Sequence, residues 1–384
     1  MQQSKSKDIE EQRSHFPALA NKTYFNHGAQ GVLSSQALAA IVDSFNTAQS
    51  TGPFNSKMFA WLQDQLQSTK QSLASELGGQ TQLYALTQNA TEGCNIVLWG
   101  IDWQKDDHIL LTDSEHFGVA ASARQLSQRL HLELSQFCAA GGAEEILDNM
   151  VGALKPRTRL VVASHVLWNT GSILPIKQMQ QLCRQRSILF LVDGAQSAGV
   201  VPIDVEELNI DAFALTGHKW LGGPEGIGAL YIAPEALDWI APTFVGWRSV
   251  QYGQNGEIGE WEGGATRFEA ATAPFPLMAG LRTAIAVHQR WGSASERYHR
   301  LHQLTHRLHA GISKAPEFTL LTAEEVPAGL VSFTSKSRPQ REIVRLLEER
   351  NIMVRTIPVP DCIRASVHYL NTEQEIDDLI AALS

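Results

Sequence analysis

The chain has 384 residues, 43% of them hydrophobic, and a formal net charge of −9 at pH 7. A single core rarely grows to this size, so two domains are expected. The negative charge argues against a nucleic-acid partner, because phosphate backbones attract basic surfaces. No run of about 18 apolar residues occurs, so no membrane span is expected either.

The four cysteines form no CxxC pair. This spacing argues against a zinc ribbon and against a thioredoxin-type redox site, and no metal site is predicted. Residues 1–14 are polar and charged, without the apolar segment of a signal peptide, and are expected to be a frayed lead-in. A cytoplasmic location is the resulting expectation.

From residue 23 the chain alternates between apolar, strand-like runs and helical stretches. This alternation predicts an α/β fold in which parallel strands are joined by right-handed crossovers. The strand-like runs lie at 84–86, 109–112, 160–164, 188–192, 212–215 and 228–232.

The pattern changes after a predicted helix pair at 275–310. The later predicted elements are a strand at 330–334, a helix at 339–350, strands at 352–356 and 363–368, and a helix at 372–383. This order is typical of a separate, smaller α+β unit. The expected organisation is an N-terminal segment at 1–22 that packs with the small domain, a large domain at 23–274 and a small C-terminal domain at 275–384.

The residues that follow the strand-like runs are the first candidates for a site, because ligands of open α/β sheets bind beyond the carboxyl ends of the strands. Asp193 follows the run at 188–192 in a loop of small residues. Its carboxylate is predicted to point into the cleft, although a helix N-cap or a metal ligand also fits the local sequence.

Lys219 follows the run at 212–215 and precedes a glycine-rich turn. Lysine is rarely buried without a function. Partial burial lowers the pKa of a lysine and makes it available as an amine nucleophile. The alternative is an ordinary lysine in a surface loop.

Three further candidates follow other strand-like runs. Thr91 lies between the run at 84–86 and a helix predicted to start near Glu92. A helix N-terminus with a nearby hydroxyl suits phosphate, but a plain Thr91 N-cap is equally compatible. His116 follows the run at 109–112, and Asn169 follows the run at 160–164. A lone histidine is more often structural, yet five elements are here predicted to meet at one edge of the sheet.

Those residues lie in motifs that resemble a known family. The motifs are A-T-E-G at 90–93, S-E-H at 114–116, N-T-G at 169–171, D-G-A-Q-S at 193–197, T-G-H-K at 216–219, G-G-A-T at 263–266 and the tail at 362–372. Together they resemble the class V aminotransferase-type enzymes, in the cysteine desulfurase-like group, over residues 23–384. The resemblance implies the pyridoxal 5′-phosphate (PLP)-dependent transferase fold of type I, with a mostly parallel seven-stranded sheet, and a homodimer.

The resemblance also implies how the cofactor would be held. Lys219 would form a Schiff base with PLP, Asp193 would pair with the pyridinium nitrogen, and His116 would stack on the ring. Gln196 and Asn169 would hydrogen-bond the phenolic oxygen of the ring. The groups implied for the phosphate are Ala90, Thr91, Thr216 and His218, with Thr266 reaching the cofactor phosphate of the neighbouring subunit.

Three residues are implied for the substrate. Arg364 matches the arginine that binds the substrate carboxylate, for which a guanidinium is well suited, with a surface salt bridge as the alternative. Arg355 is a candidate for a second contact to the same carboxylate, with a structural role as the alternative. Trp247 would line the pocket from the partner subunit.

The stretch at 357–362 bears on the reaction. Cysteine desulfurases need a nucleophilic cysteine on a mobile loop, but this stretch is short and contains two prolines, which restrict the backbone. Cys362, next to the implied carboxylate site, is therefore interpreted as structural. Within the group, the tail is similar to that of the cyanobacterial cystine C-S lyases, which lack the loop cysteine.

That similarity implies β-elimination of L-cystine, and less readily of L-cysteine, to pyruvate, ammonia and cysteine persulfide. The released sulfur could pass to an acceptor protein or an iron–sulfur scaffold protein. Three alternatives stay open: a desulfurase that uses Cys362, a related epimerase or aminotransferase, and a catalytically inactive assembly partner with this fold.

Overall fold

The computed structural model describes residues 8–323 and 328–383. The helices are α1 (Ile9–Ser14), α2 (Ser35–Thr51), α3 (Ser56–Leu77), α4 (Ala90–Gly100), α5 (Phe117–Leu130), α6 (Ala143–Ala153), α7 (Ile176–Arg184), α8 (Phe275–Trp291), α9 (Ala294–Ser313), α10 (Gln340–Glu348) and α11 (Glu373–Leu383). The first strands are β1 (Thr23–Tyr24), β2 (Tyr84–Thr87), β3 (His108–Thr112), β4 (Glu133–Phe137), β5 (Thr158–Ser164), β6 (Leu189–Asp193), β7 (Ala212–Thr216) and β8 (Gly228–Ile232). The later strands are β9 (Val250–Tyr252), β10 (Ile258–Trp261), β11 (Phe318–Leu320), β12 (Leu330–Ser335), β13 (Ile352–Met353), β14 (Arg355–Pro358) and β15 (Asp361–Ser366).

Seven strands form the main sheet, in the order β2-β8-β7-β6-β5-β3-β4. The strands β3 to β7 run parallel, and β8 is antiparallel to both of its neighbours. The residues of β3, β6, β7 and β8 are all buried, as expected for a sheet covered on both faces. The predicted mostly parallel, seven-stranded sheet is therefore confirmed. The edge strand β4 was not predicted, because its largely polar sequence gives no apolar run.

A second sheet has four antiparallel strands in the order β11-β12-β15-β14. The strand predicted at 352–356 is divided in the structure. Its first part, β13, pairs with β1, whereas its second part begins β14 of the four-stranded sheet. The turn between β14 and β15 contains only Val359 and Pro360, since Pro358 pairs with Asp361. The connection is thus even shorter than the predicted loop.

The N-terminal segment is more ordered than expected. Asp8 caps α1, and Arg13 in that helix donates hydrogen bonds to the Leu370 carbonyl at 2.6 Å and to Glu375 at 2.8 Å. These bonds tie the helix to the C-terminal part of the chain. The rest of the expected lead-in, residues 1–7, lies outside the described residues, and the domain boundaries stay predictions. No helix in the described ranges is both long and apolar enough to cross a membrane.

Candidate active site

A cavity of about 540 Å³ opens at the carboxyl ends of the central strands. It brings together most of the residues that the sequence suggested. Those that line it are Ala90, Thr91, His116, Asp193, Gln196, Thr216, His218, Lys219, Arg355 and Arg364. The shared edge follows from the topology, because the parallel strands β3, β5, β6 and β7 all end on the same side of the sheet.

Lys219 and Asp193 are the two central charges of the cavity. Burial lowers the pKa of Lys219 to about 8, against the opposing effect of Asp193. Asp193 is the last residue of β6, and its Oδ1 accepts a hydrogen bond from the Ala195 amide at 2.8 Å. Turns rather than a helix follow Asp193, so the N-cap alternative for this residue is wrong.

The Lys219 loop packs closely against the chain near Gly31. The Gly31 amide donates to the His218 carbonyl at 2.7 Å. A Cβ atom at position 31 would lie only 1.9 Å from the Lys219 carbonyl oxygen. Only glycine fits this close approach, which fixes the backbone beneath the lysine.

One end of the cavity suits an anion. The helix α4 begins at Ala90 and is capped by Asn89, whose Oδ1 accepts from the Glu92 amide at 3.0 Å. The N-cap alternative for Thr91 is therefore wrong, and its hydroxyl is not used to cap the helix. The first amides of an α-helix have no intrahelical acceptor and attract negative charge. Thr216 and His218 flank this end, with Oγ1 and Nδ1 2.7 Å apart.

His116 forms the side of the cavity. Its Nδ1 accepts from the Gly118 amide at 3.2 Å, which caps α5. Desolvation and the nearby Lys219 lower the pKa of His116, so the ring is neutral at pH 7. A neutral imidazole at this position is suited to stacking on a planar ligand.

Two arginines also line the cavity. Arg355 and Arg364 are paired residues of β14 and β15, and both line the cavity. Arg364 Nη1 donates to the Trp168 carbonyl at 2.7 Å, whereas its Nε and Nη2 are buried without a partner within the described part of the chain. Burial, reinforced by Arg355, lowers the pKa of Arg364 to about 9. Buried donors without partners are costly, so these groups are suited to binding an anion such as a carboxylate.

Three residues suggested by the sequence do not line this cavity. Asn169 is buried, and its side-chain Oδ1 has no hydrogen-bond partner among the described residues. Thr266 accepts a hydrogen bond from Lys70 at 3.0 Å. Trp247 is half exposed. Residues that contribute to the site of a partner subunit must lie away from the cavity of their own chain. Thr266 and Trp247 meet this requirement.

Several lining residues were not predicted from the sequence. Gly28 accepts a hydrogen bond from Gln196 at 2.8 Å, and Trp168 contacts His116 edge-on with ring centroids 5.4 Å apart. Ser164, at the end of β5, holds the buried Glu115 carboxylate through its hydroxyl and amide. The glycine pattern at 28–31 was a usable signal for Gly28. Neither Trp168 nor Ser164 carries such a signal.

The cavity fits pyridoxal phosphate. The N-terminus of α4 is suited to bind the phosphate, and the Asp193 carboxylate is suited to pair with the pyridinium nitrogen. The Lys219 amine is suited to react with the aldehyde. The Gln196 amide is already held by Gly28 and by Trp220, whose Nε1 donates at 2.8 Å. This fixes the Gln196 side chain at the cavity wall. A carboxylate substrate would occupy the end with the two arginines.

Comparison with known proteins supplies the family. The family model described as aminotransferase class V matches residues 23–379. The chain belongs to the class V aminotransferase family. Class V aminotransferases use PLP, so the chain is a PLP-dependent enzyme, as the motifs predicted.

The chain is 31% identical to isopenicillin N epimerase from Streptomyces clavuligerus, with 83% of each chain covered. It is 28% identical to a cysteine desulfurase from Haloferax volcanii, covering 80% of this chain and 74% of that protein. Among the matching solved structures is the cystine C-S lyase C-DES in complex with its reaction product cysteine persulfide. The identity is 44%, the TM-score is 0.92, and 96% of this chain and 98% of that chain are covered.

A mutant of C-DES with glycine covalently linked to its PLP cofactor matches with 43% identity and a TM-score of 0.92, covering 97% of this chain and 98% of that chain. These similarities confirm the predicted fold and cofactor. They also support the assignment as a PLP-dependent carbon–sulfur lyase.

Proposed function

We propose that this enzyme acts on L-cystine, and less readily on L-cysteine, by β-elimination. With water, cystine would give pyruvate, ammonia and cysteine persulfide. The observation that carries this proposal is the rigid position of Cys362. It lies in β15, paired with Ile357 of β14, and the turn that joins the two strands has two residues. A thiol held in this way lacks the mobile loop that a desulfurase nucleophile needs.

Bound PLP would supply an electron sink that stabilises negative charge at the substrate Cα. Asp193 would support this by keeping the ring nitrogen protonated. Lys219 would take the proton from Cα, for which its lowered pKa of about 8 is suitable. The Cβ–S bond would then break, and its electron pair would leave with the persulfide sulfur. The three-carbon fragment would take up water and leave as pyruvate and ammonia.

The remaining lining residues would orient the reactants. Arg364 and Arg355 would bind the substrate carboxylate and so place Cα near the Lys219 amine. His116 would stack on the ring, while Gln196 and Asn169 would hydrogen-bond the phenolic oxygen. The phosphate would be held by Ala90, Thr91, Thr216 and His218.

The active unit would be a homodimer with shared sites. Support comes from Thr266 and Trp247, which lie away from the cavity of their own chain. In the dimer, Thr266 would contact the partner's cofactor phosphate and Trp247 would line the partner's substrate pocket. The persulfide would serve a sulfur acceptor or an iron–sulfur scaffold protein, and the cytoplasmic location stays a prediction.

The products distinguish this function from that of a desulfurase. We expect pyruvate and persulfide, rather than alanine, when the holoenzyme is incubated with cystine and both products are quantified. Because Cys362 is not the sulfur acceptor in this reaction, Cys362→Ser is expected to keep most of the pyruvate production. Cysteine, cysteine sulfinate and alanine serve as comparison substrates.

Alanine as the main product of the unaltered enzyme would contradict the lyase assignment. So would a loss of more than about a hundredfold in kcat/KM for Cys362→Ser, roughly 2.7 kcal/mol of transition-state stabilisation. The unfolding midpoint of the variant must be measured beside its activity, because the thiol is buried.

A further inference from the structure

Trp168 forms part of the wall of the active-site cavity. Its indole contacts the rings of His116 and Phe117, each with centroids 5.4 Å apart. Its carbonyl accepts the hydrogen bond from Arg364. Two rings therefore hold the indole, and one of them, His116, also lines the cavity. The backbone of Trp168 is held by the arginine proposed to bind substrate.

The same indole also belongs to a small apolar cluster behind the wall. That cluster contains Trp168, Ile357 and Cys362, with Leu321 packed against it. Of these four residues, Trp168 alone lines the cavity in the part of the chain that the structure describes. The Cys362 side chain is fully buried, although residue 362 is only two positions before Arg364. Alternate residues of a strand share a face, so Cys362 lies on the arginine side of β15 and is separated from the cavity by its surroundings.

We propose that Trp168 determines the fate of the sulfur by keeping the Cys362 thiol out of the substrate cavity. The consequence for the sulfur rests on the proposed lyase function, whereas the shielding of the thiol does not depend on it. With the indole in place, the product persulfide leaves the enzyme with its sulfur. Trp168 is thus a specificity-determining residue that acts by exclusion.

The environment of the thiol agrees with this function. Burial raises the pKa of Cys362 to about 11, and the thiolate is the form that attacks sulfur. Opening the wall would admit water and substrate together. The thiol would then become both more acidic and accessible.

The reaction that the wall prevents is sulfur transfer from product to enzyme. The Cys362 thiolate would attack the outer sulfur of cysteine persulfide, forming a new S–S bond. The S–S bond of the product would break, and cysteine would leave as a thiolate that takes up the proton lost by Cys362. The step exchanges one S–S bond for another, so no external oxidant or reductant is needed.

Alkylation of the native protein tests directly whether Trp168 shields the Cys362 thiol. The holoenzyme is treated with iodoacetamide, and the labelling rate of each cysteine peptide is followed by mass spectrometry. Exposed Cys138 is the internal fast standard, and buried Cys94 and Cys183 are the slow standards. We expect Cys362 to label as slowly as the buried pair in the unaltered enzyme, and about tenfold faster or more in Trp168→Ala.

Matched variants separate a smaller aromatic side chain from the loss of the whole ring system. Trp168→Phe keeps one aromatic ring in the wall, and the indole N–H that it removes has no hydrogen-bond partner among the described residues, so this variant is expected to leave Cys362 protected. Trp168→Leu replaces the alanine variant if the latter does not fold, as judged by circular dichroism and the visible absorption of the bound cofactor. Labelling of Cys362 at the Cys138 rate in the unaltered enzyme would overturn the proposal. Continued protection in a folded Ala or Leu variant would overturn it as well.

A second measurement follows the sulfur. After turnover of cystine, the Trp168→Ala enzyme is expected to carry a persulfide on Cys362, whereas the unaltered enzyme and Trp168→Ala/Cys362→Ser do not. If cystine proves not to be a substrate, this measurement fails together with the lyase function. The alkylation result stands apart from it and decides the exclusion by Trp168 alone.

Discussion

At the scale of single residues, the two arginines of the site are paired across neighbouring strands but differ in exposure. Arg355 and Arg364 face each other across β14 and β15, and like charges in this position destabilise a sheet. Arg364 is 2% exposed and has buried donors without partners in the described ranges, whereas Arg355 is exposed. A bound carboxylate would relieve the repulsion and satisfy the donors, with most of the interaction at Arg364.

We therefore predict unequal effects of the same substitution at the two positions. Arg364→Lys keeps the charge but loses the two-pronged geometry, and is expected to cost about 2 kcal/mol, or about thirtyfold in kcat/KM, mainly through KM. Arg355→Lys is expected to cost about fivefold or less, because exposed charge pairs contribute little. Steady-state kinetics with cystine measures both, and equal losses would contradict the assignment.

At the scale of elements, three buried histidines join segments that are distant in sequence. His27 follows β1, His288 lies in α8 and His368 follows β15, and all three are at most 5% exposed. The rings of His27 and His368 stack with centroids 4.4 Å apart. The stack lies beside Trp220, directly after the lysine of the site. It therefore connects the active-site loop to both ends of the chain.

This stack is expected to make folding sensitive to acid. Burial lowers the pKa of His368 to about 3 and places those of His27 and His288 well below 6.5, while Arg297 also disfavours protonation of His288 and His368. Below pH 6.5 the unfolded chain takes up protons that the folded protein excludes. The stabilisation is thus complete above pH 6.5 and declines as the pH falls below it, by up to about 1.4 kcal/mol per pH unit for each histidine that the fold keeps neutral.

The variant His27→Phe keeps a ring in the stack and removes one titrating group. We expect the apparent free energy of unfolding to fall less steeply between pH 6.5 and pH 5, by roughly one proton. Urea unfolding at several pH values measures the slope. The control is His299→Gln, which changes an exposed histidine. Carboxylates such as Glu115 contribute equally to the pH dependence of unfolding in both variants, so their contribution cancels in the comparison. Equal slopes for His27→Phe and the control would rule out the explanation.

At the scale of the whole molecule, one region of the surface is unusually apolar. Phe244 and Ile258 are 76% and 77% exposed, and Trp247, Tyr252 and Trp261 are also exposed. They belong to β9, β10 and the segment before them, close in sequence to Thr266. Large exposed apolar patches mark interaction surfaces. The patch supports the proposed homodimer, in which the residues missing from one cavity come from the other subunit.

Shared sites predict that two inactive variants can complement each other. Lys219→Ala lacks the catalytic amine, and a Trp247→Ala/Thr266→Ala double variant lacks the groups expected to reach the partner. Each heterodimer would contain one complete site, so about half of the activity of the unaltered dimer is expected. Differently tagged subunits allow the heterodimer to be purified and assayed. An inactive heterodimer that binds PLP would contradict the shared site.

The central strands and the grouping of several site residues could be predicted from the sequence alone. The apolar runs predict the central strands, because parallel strands that are buried on both faces consist largely of apolar residues. The polar residues directly after those runs, such as Asp193, Lys219 and His116, could be placed in one site, since parallel strands end on the same edge. Such inferences depend only on local pattern and on the topology that the pattern implies.

The tertiary structure decided those features that a local sequence pattern cannot specify. The cap of α4 is Asn89 rather than Thr91, because either residue type can cap and only the backbone path selects one. The two-residue turn after Pro358 holds Cys362 in a paired strand. The position of Trp168 between the cavity and that thiol depends on contacts between residues almost 200 positions apart. No local sequence pattern records such contacts, because they exist only once the two sheets have packed together.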